Sequence, residues 1–238
     1  MKRLCSILIT LFVLFTVCSC NQAPPNADTS DPAEQNSMSS ACSKDSVDEF
    51  LAITGHMQGD GLLSGFSITE ENLYNVTPPQ VSAATDVKIF KASDSCASFI
   101  LIDNEIYSIC ESFGGYGFVN AVPCDFDQDG HTDLLVASSW GSGLHRSIIS
   151  VFNVETKEST VVYDTATTDD PPIDLFVTAE TPSTSSSDPT ELPTYYCIYS
   201  AEIKVNDNNA AKLSYVATDM IGTVEYENGA IVFKPASK

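Results

Sequence analysis

Four aspartates fall in register around one glycine in the run Asp125-Phe126-Asp127-Gln128-Asp129-Gly130-His131-Thr132-Asp133-Leu134-Leu135-Val136. Counted from Asp125, the carboxylates occupy positions 1, 3, 5 and 9, and the glycine occupies position 6. A hard cation such as Ca²⁺ needs several oxygen ligands at once. Alternate residues can turn their carboxylates inward, and a glycine permits the sharp turn that brings the next backbone carbonyl round to the ion. The spacing therefore predicts calcium ligation by Asp125, Asp127, Asp129, Asp133 and the carbonyl of His131, whose imidazole points outward. The alternative is an acidic turn in which the aspartates cap their own backbone.

The residues after the loop decide which kind of calcium loop it is. An EF-hand would supply a bidentate Glu at position 12 and continue as a helix. Here position 12 is Val136, and Leu134-Leu135-Val136-Ala137 is a β-run. The loop opens a strand. Phe113-Gly114 lies upstream, and a second β-run, Ile148-Ile149-Ser150-Val151-Phe152, comes after a glycine-containing turn. Over about residues 113–153 this pattern resembles an FG-GAP or VCBS-type repeat, the unit of integrin-like β-propellers. The resemblance implies a propeller blade with one calcium held by the same four aspartates and the His131 carbonyl. The chain departs from the pattern where Ala137-Ser138-Ser139 stands in place of the usual Gly-Ala-Pro.

A second constellation lies in Trp140-Gly141-Ser142-Gly143-Leu144-His145-Arg146. Trp140 is the only tryptophan of the chain, and Arg146 is the only arginine besides Arg3. In so acidic a sequence, a lone Arg beside Trp and His is a contact group for an anionic or planar ligand. Trp140, His145 and Arg146 are thus candidate ligand-binding residues. The alternative is a glycine hairpin whose Trp covers a core edge and whose Arg pairs with a carboxylate. If the calcium loop enters the strand 133–138 and this turn leaves it, the two lie at opposite ends, about 20 Å apart at the rise of a strand.

The elements that must position these groups are nearly all strands. One short helix is expected over 47–53, capped by Ser46. β-runs then recur at 87–90, 98–102, 105–109, 118–122, 133–138, 148–153, 160–163, 173–178, 195–204, 212–216, 222–226 and 230–233. Turn signals separate them at Asp103-Asn104, Asn206-Asp207-Asn208 and Glu227-Asn228-Gly229. A weak internal repeat places Asp133-Leu134-Leu135-Val136 on Asp174-Leu175-Phe176-Val177, a period in the range of propeller blades. The expected fold is all-β: a short antiparallel propeller-like stack of about four sheets, or alternatively a β-sandwich, with one short N-terminal helix. Residues 180–193, rich in Thr, Ser and Pro, are expected to form an insertion.

The N-terminus reads as a processing segment. Lys2-Arg3 precede an apolar run too short to span a bilayer comfortably, which ends in Val17-Cys18-Ser19-Cys20. That tetrapeptide resembles a bacterial lipobox. The resemblance implies a signal peptide over 1–19, lipidation of Cys20 and a lipid-anchored, extracytoplasmic location at the cell membrane. Residues 20–44 are polar and Pro-rich and are expected to be a disordered tether, with the folded domain over 45–238. Without Lys2 and Arg3, nine basic residues face 32 acidic ones, a charge of about −23. Such a surface repels nucleic acid and concentrates divalent cations.

Of eight cysteines, Cys42, Cys96, Cys110, Cys124 and Cys197 remain once Cys5 and Cys18 are removed and Cys20 is lipidated. The odd count argues against a complete disulfide framework. Cys96 and Cys110 flank the Asp103-Asn104 hairpin and would fall nearly opposite each other, as a bridge or as two small buried side chains. No Cys/His spacing suits zinc.

The function these features imply is non-enzymatic: a calcium-stabilised surface domain that binds a protein or glycan through its loops. G-x-S-x-G and H-E-x-x-H are both absent. Two alternatives stay open. One is a hydrolase of exported polymers using paired carboxylates among the 32 acids, and the other is a structural subunit of an envelope complex.

Overall fold

The computed structural model describes residues 37–54, 66–110, 113–126, 129–168, 172–181 and 193–237. Among them, thirteen strands and two helices occur in the order β1 (Ser37–Ser39), α1 (Val47–Thr54), β2 (Leu73–Asn75), α2 (Pro79–Ala84), β3 (Lys88–Ala92), β4 (Ser98–Ile102), β5 (Glu105–Ser108), β6 (Gly117–Cys124), β7 (Asp133–Trp140), β8 (Arg146–Phe152), β9 (Ser159–Asp164), β10 (Asp174–Glu180), β11 (Tyr195–Val205), β12 (Leu213–Glu227) and β13 (Ala230–Pro235). The fold is all-β and antiparallel, as expected, and the described strands make three open sheets. The first runs β2-β3-β4-β5 and the second β6-β7-β8-β9. The third runs β10-β11-β12, with β1 and β13 end to end along the outer edge of β12, at 214–216 and 222–227.

The sheets stack in layers, and the apolar sequence pattern shows why. Leu134, Leu135, Val136 and Ala137 form an unbroken apolar run because the second sheet is covered on both faces. Leu135 and Ala137 pack toward Leu175, Phe176 and Ile198 of the third sheet. Leu134 and Val136 pack toward Ile89 and Ile100 of the first. The outer face of the first sheet, with Phe90, Phe99 and Leu101, is closed by Val47 and Phe50 of α1.

Side chains stitch each sheet to the next at matching places. On β4, Ser98 Oγ accepts the amide of Phe118 on β6 at 2.9 Å. On β8, Ser147 Oγ accepts the amide of Leu175 on β10 at 3.1 Å. Each is a serine on the third strand of one sheet holding the first strand of the following sheet. Asn120 adds a buried amide that pairs with both backbone groups of Val177, at 2.7 and 3.1 Å.

The local chemistry accounts for the elements. Asp103 and Asn104 both have positive φ (53° and 61°), as do Asn228 and Gly229 (52° and 83°), the conformation that two-residue hairpin turns need. Helix α1 lies where expected. Helix α2 comes after Pro78 with Pro79 at its first position, where the missing N–H costs nothing. The β-runs at 212–216 and 222–226 join into one strand. At the intervening bulge, Ser200 Oγ takes the Asp219 amide at 3.0 Å and replaces a ladder bond.

Three expectations change. Residues 37–44, assigned to the tether, belong to the fold: β1 pairs Ser37 with Val216, Ser40 donates to the Leu213 carbonyl, and Ser43 bridges to Asn75. A short polar segment can be ordered by sheet edges that supply its hydrogen bonds, although it buries little itself. The repeat of 133–136 on 174–177 matches second-strand β7 to first-strand β10, so it is not the period of the sheets. The signal peptide, Cys20 and most of the 180–193 insertion lie outside the described residues.

Candidate metal centre

The acidic loop is the connection between β6 and β7, closed by the pair Cys124↔Asp133. Phe126 roots it: the ring is buried and lies 4.6 Å from that of Tyr196 on β11. Gly130 has φ of 86°, the left-handed turn its position in the motif calls for. Its amide donates to Asp125 Oδ2 at 3.3 Å, and the His131 amide donates to Asp129 Oδ1 at 2.7 Å.

Among the described residues, the loop hydrogen bonds leave one carboxylate oxygen unsatisfied. Asp125 Oδ1 is buried and has no donor among the described residues. A buried carboxylate oxygen without a donor is costly unless a cation takes its place. Asp129, the His131 imidazole and Glu155 form a separate group with ligand atoms within 4.8 Å of one another, all three residues being exposed. Glu155 comes from the β8–β9 turn, where Asn153 and Lys157 are joined by a backbone hydrogen bond. The pairing Leu134↔Phe152 carries that turn to the acidic loop. No local motif marks Glu155; only the strand register brings it there.

The predicted ligands are thus distributed unevenly. Asp125 and Asp129 share the loop, with Asp125 keeping one unsatisfied oxygen. His131 joins the cluster through its side chain, in contrast to the outward-pointing imidazole expected from the spacing. Asp133 is buried and accepts from the Val154 amide at 3.1 Å and from Asn153 Nδ2 at 3.4 Å, so it ties the loop to the β8–β9 turn. Asp127 lies outside the described residues. The donors present suit an oxygen-seeking cation, and Asp125, Asp129 and Glu155 would supply carboxylates to it. Adjoining the loop is a cleft of about 440 Å³ lined by Asp125, Phe126, Tyr195, Tyr196, Glu225 and Tyr226.

The second constellation sits at the far end of β7, where Trp140 pairs with Arg146. The guanidinium lies 5.9 Å from the Trp140 ring, within reach of a cation–π contact. His145 turns inward: its ring meets Tyr116 edge-on at 4.6 Å, and its Nδ1 is 3.7 Å from Asp174 Oδ1, which also accepts from Ser139 Oγ at 3.0 Å. Burial raises the Asp174 carboxyl above its usual range, opposed by Ser139 and His145. His145 therefore joins the second and third sheets. Exposed in its place are Phe113 and Leu144, at 66% and 64%. Both border Gly141, whose amide donates to the Phe113 carbonyl at 2.7 Å and whose missing Cβ would lie 2.5 Å from the Leu144 carbonyl. The sequence marks Phe113 only as part of the Phe113-Gly114 pair, and neither residue as an exposed contact group, because single apolar residues in glycine-rich turns carry no periodic signal.

No protein-family model, curated protein or solved structure matches the chain. The likeness to an FG-GAP or VCBS repeat thus rests on the motif residues alone. Among the described residues, no helix is long and apolar enough to cross a membrane.

Proposed function

We propose that this chain is a lipid-anchored extracytoplasmic β-domain that holds one calcium ion in the 125–133 loop and binds a protein or glycan through the opposite end of β7. The observation that carries the metal reading is the buried Asp125 Oδ1, without a donor among the described residues, in the loop that also gives Asp129 and His131 to the cluster with Glu155. The ion would neutralise carboxylates that otherwise repel one another, and it would brace the hairpin without touching a ligand at the far end. The binding reading is supported by Phe113 and Leu144, two large apolar side chains projecting beside Trp140 and Arg146 in a strongly acidic protein. Such an anchor-plus-arginine patch suits a partner with an apolar surface and a carboxylate.

The test is calcium titration of the full chain in detergent by calorimetry, alongside thermal melts with and without chelator. One binding event per chain, with Kd on the order of 10⁻⁴ M or tighter, and a higher melting temperature with calcium support the reading. No heat and no shift would overturn it. The exposed His131 imidazole favours a second reading, a borderline metal such as zinc. Zinc that binds where calcium does not would select it.

A further inference from the structure

We propose that Cys96 and Cys110 form a disulfide modification site at the open end of the β4–β5 hairpin, with Lys91 as the group that exchanges protons with them. Across this hairpin Phe99 stands opposite Ser108, and the Ile109 amide still donates to the Ser98 carbonyl at 3.4 Å. That register brings Ala97 opposite Cys110 and leaves Cys96 one residue farther on. Directly opposed Cα atoms in antiparallel strands are about 4.5–5.5 Å apart. A one-residue diagonal is then about 6 Å between Cα atoms, inside the span a disulfide bridges; a regular ladder would set the two side chains on opposite faces, so the bridge depends on the bends at Cys96 and Cys110 turning them together. Both cysteines lie just beyond the last paired residues of the ladder, where the backbone has slack to adjust. Cys110 Sγ already lies 3.8 Å from the Cys96 carbonyl oxygen.

Lys91 makes the pair more than two neighbouring thiols. It sits on β3 opposite Ser98, and its side chain is buried, with Nζ donating to the Phe118 carbonyl at 3.0 Å. Ser98, its partner across the ladder, donates from Oγ to the Cys96 carbonyl at 3.0 Å, the same carbonyl that Cys110 Sγ approaches. Burial drives the Lys91 amine down to about 7, so near neutrality it gives and takes a proton readily. An ammonium beside a thiol favours the thiolate, which is the nucleophile of disulfide exchange.

The electron acceptor is a small-molecule disulfide such as oxidised glutathione. The half-exposed Cys110 attacks as the thiolate, the glutathione S–S bond breaks, and one glutathione leaves as its thiolate. Cys96 passes its proton to the Lys91 amine and attacks Cys110 Sγ, releasing the second glutathione. Two protein thiols are oxidised and one disulfide is reduced to two thiols, which take up the two protons. Cys124 and Cys197, buried in the second and third sheets, stay outside the reaction.

The test is to expose the folded full-length protein to oxidised glutathione, alkylate the remaining thiols and map the peptides. The expected product is a Cys96–Cys110 crosslink with Cys42, Cys124 and Cys197 alkylated. Cys96→Ser should stop the reaction at a mixed disulfide of Cys110 with glutathione, and Lys91→Met should slow closure by about tenfold at neutral pH. Mapping of the native protein needs no variant to fold. Alkylation of both Cys96 and Cys110 after oxidation, or a crosslink from either to Cys42, would overturn the site. An unchanged closure rate in a folded Lys91→Met protein would remove Lys91 from it.

Discussion

The acidic loop and the Lys91 pocket hold unbalanced charge of opposite sign, and they resolve it in opposite ways. The loop gathers anions at the surface, where Asp129 and Glu155 are exposed and an external cation can reach them. Lys91 is a single cation in the interior, 1% exposed, with a backbone carbonyl as its hydrogen-bond acceptor and thiols rather than carboxylates as the groups that oppose its desolvation. No external anion can reach it, so it escapes its desolvation by giving up its proton. Uncompensated charge at the surface thus predicts a ligand, and uncompensated charge in the core predicts a shifted titration.

The largest effect should come from closing the space around each region. At Gly117, φ is 65° and an added Cβ would lie 2.1 Å from the Cys96 carbonyl oxygen. Gly117→Ala should therefore cost about 3 kcal/mol or more in denaturant unfolding. At Gly130, φ is 86° but nothing lies within 4 Å of an added Cβ, so Gly130→Ala should cost only about 1 kcal/mol. Similar costs for the two would mean that the Lys91 pocket is not tightly packed.

Calcium comes next. At a concentration about 100 times Kd, it should stabilise the wild type by about 2.7 kcal/mol. Asp125→Ala should abolish most of this shift and, without calcium, should melt no lower than the wild type. If calcium still raised the melting temperature of that variant, the buried oxygen would not be a ligand.

The interior cation should appear as a pH dependence. With the amine at about 7 in the fold against 10.5 for an ordinary lysine, the unfolded chain binds more protons between those values. Stability is then fully present at high pH and is lost as pH falls toward 7. Between pH 7 and 9 it should rise by about 1.4 kcal/mol per unit at most. Above 9 the rise is opposed, because burial raises the Cys42 and Cys197 thiols in the fold, and the unfolded chain then loses those protons first. Lys91→Met should flatten the slope from 7 to 9, and urea titrations at stepped pH would read it.

The smallest stability effect belongs to the one cation of this set that is neither clustered nor deeply buried. Arg146→Ala should change stability by about 0.5 kcal/mol or less, while weakening a partner captured from envelope extract by about 1–3 kcal/mol. A large stability loss with binding intact would make Arg146 a plug for the Trp140 turn.

Much of this architecture is legible in the sequence, for reasons that differ by element. The β-runs 98–102 and 105–109 stand out because the turn pair Asp103-Asn104 separates them. The run 134–137 reads as a fully buried strand without saying which sheets cover it. β1 and β2, three residues each, are too short to carry a period. β12 reads as two strands because Asp219 interrupts the apolar pattern, and the Ser200 bond that spans the interruption lies on another strand. At the site, the spacing around Gly130 marks the loop. Glu155 and the inward turn of His145 arise from register and sheet packing, which no local run encodes.

The pairing of β1 with β12 sets an order on how the chain can assemble. Ser37 meets Val216 and Ser39 meets Ser214, so the earliest described strand to leave the ribosome waits for one of the last before its backbone bonds are made. The first two sheets are complete in sequence by Asp164 and can form while the rest is still being synthesised. Closure of the third sheet carries the longest loop-ordering cost in the described fold. A nascent chain arrested before residue 213 should therefore protect β6–β8 amides from hydrogen exchange while those of residues 37–40 still exchange freely.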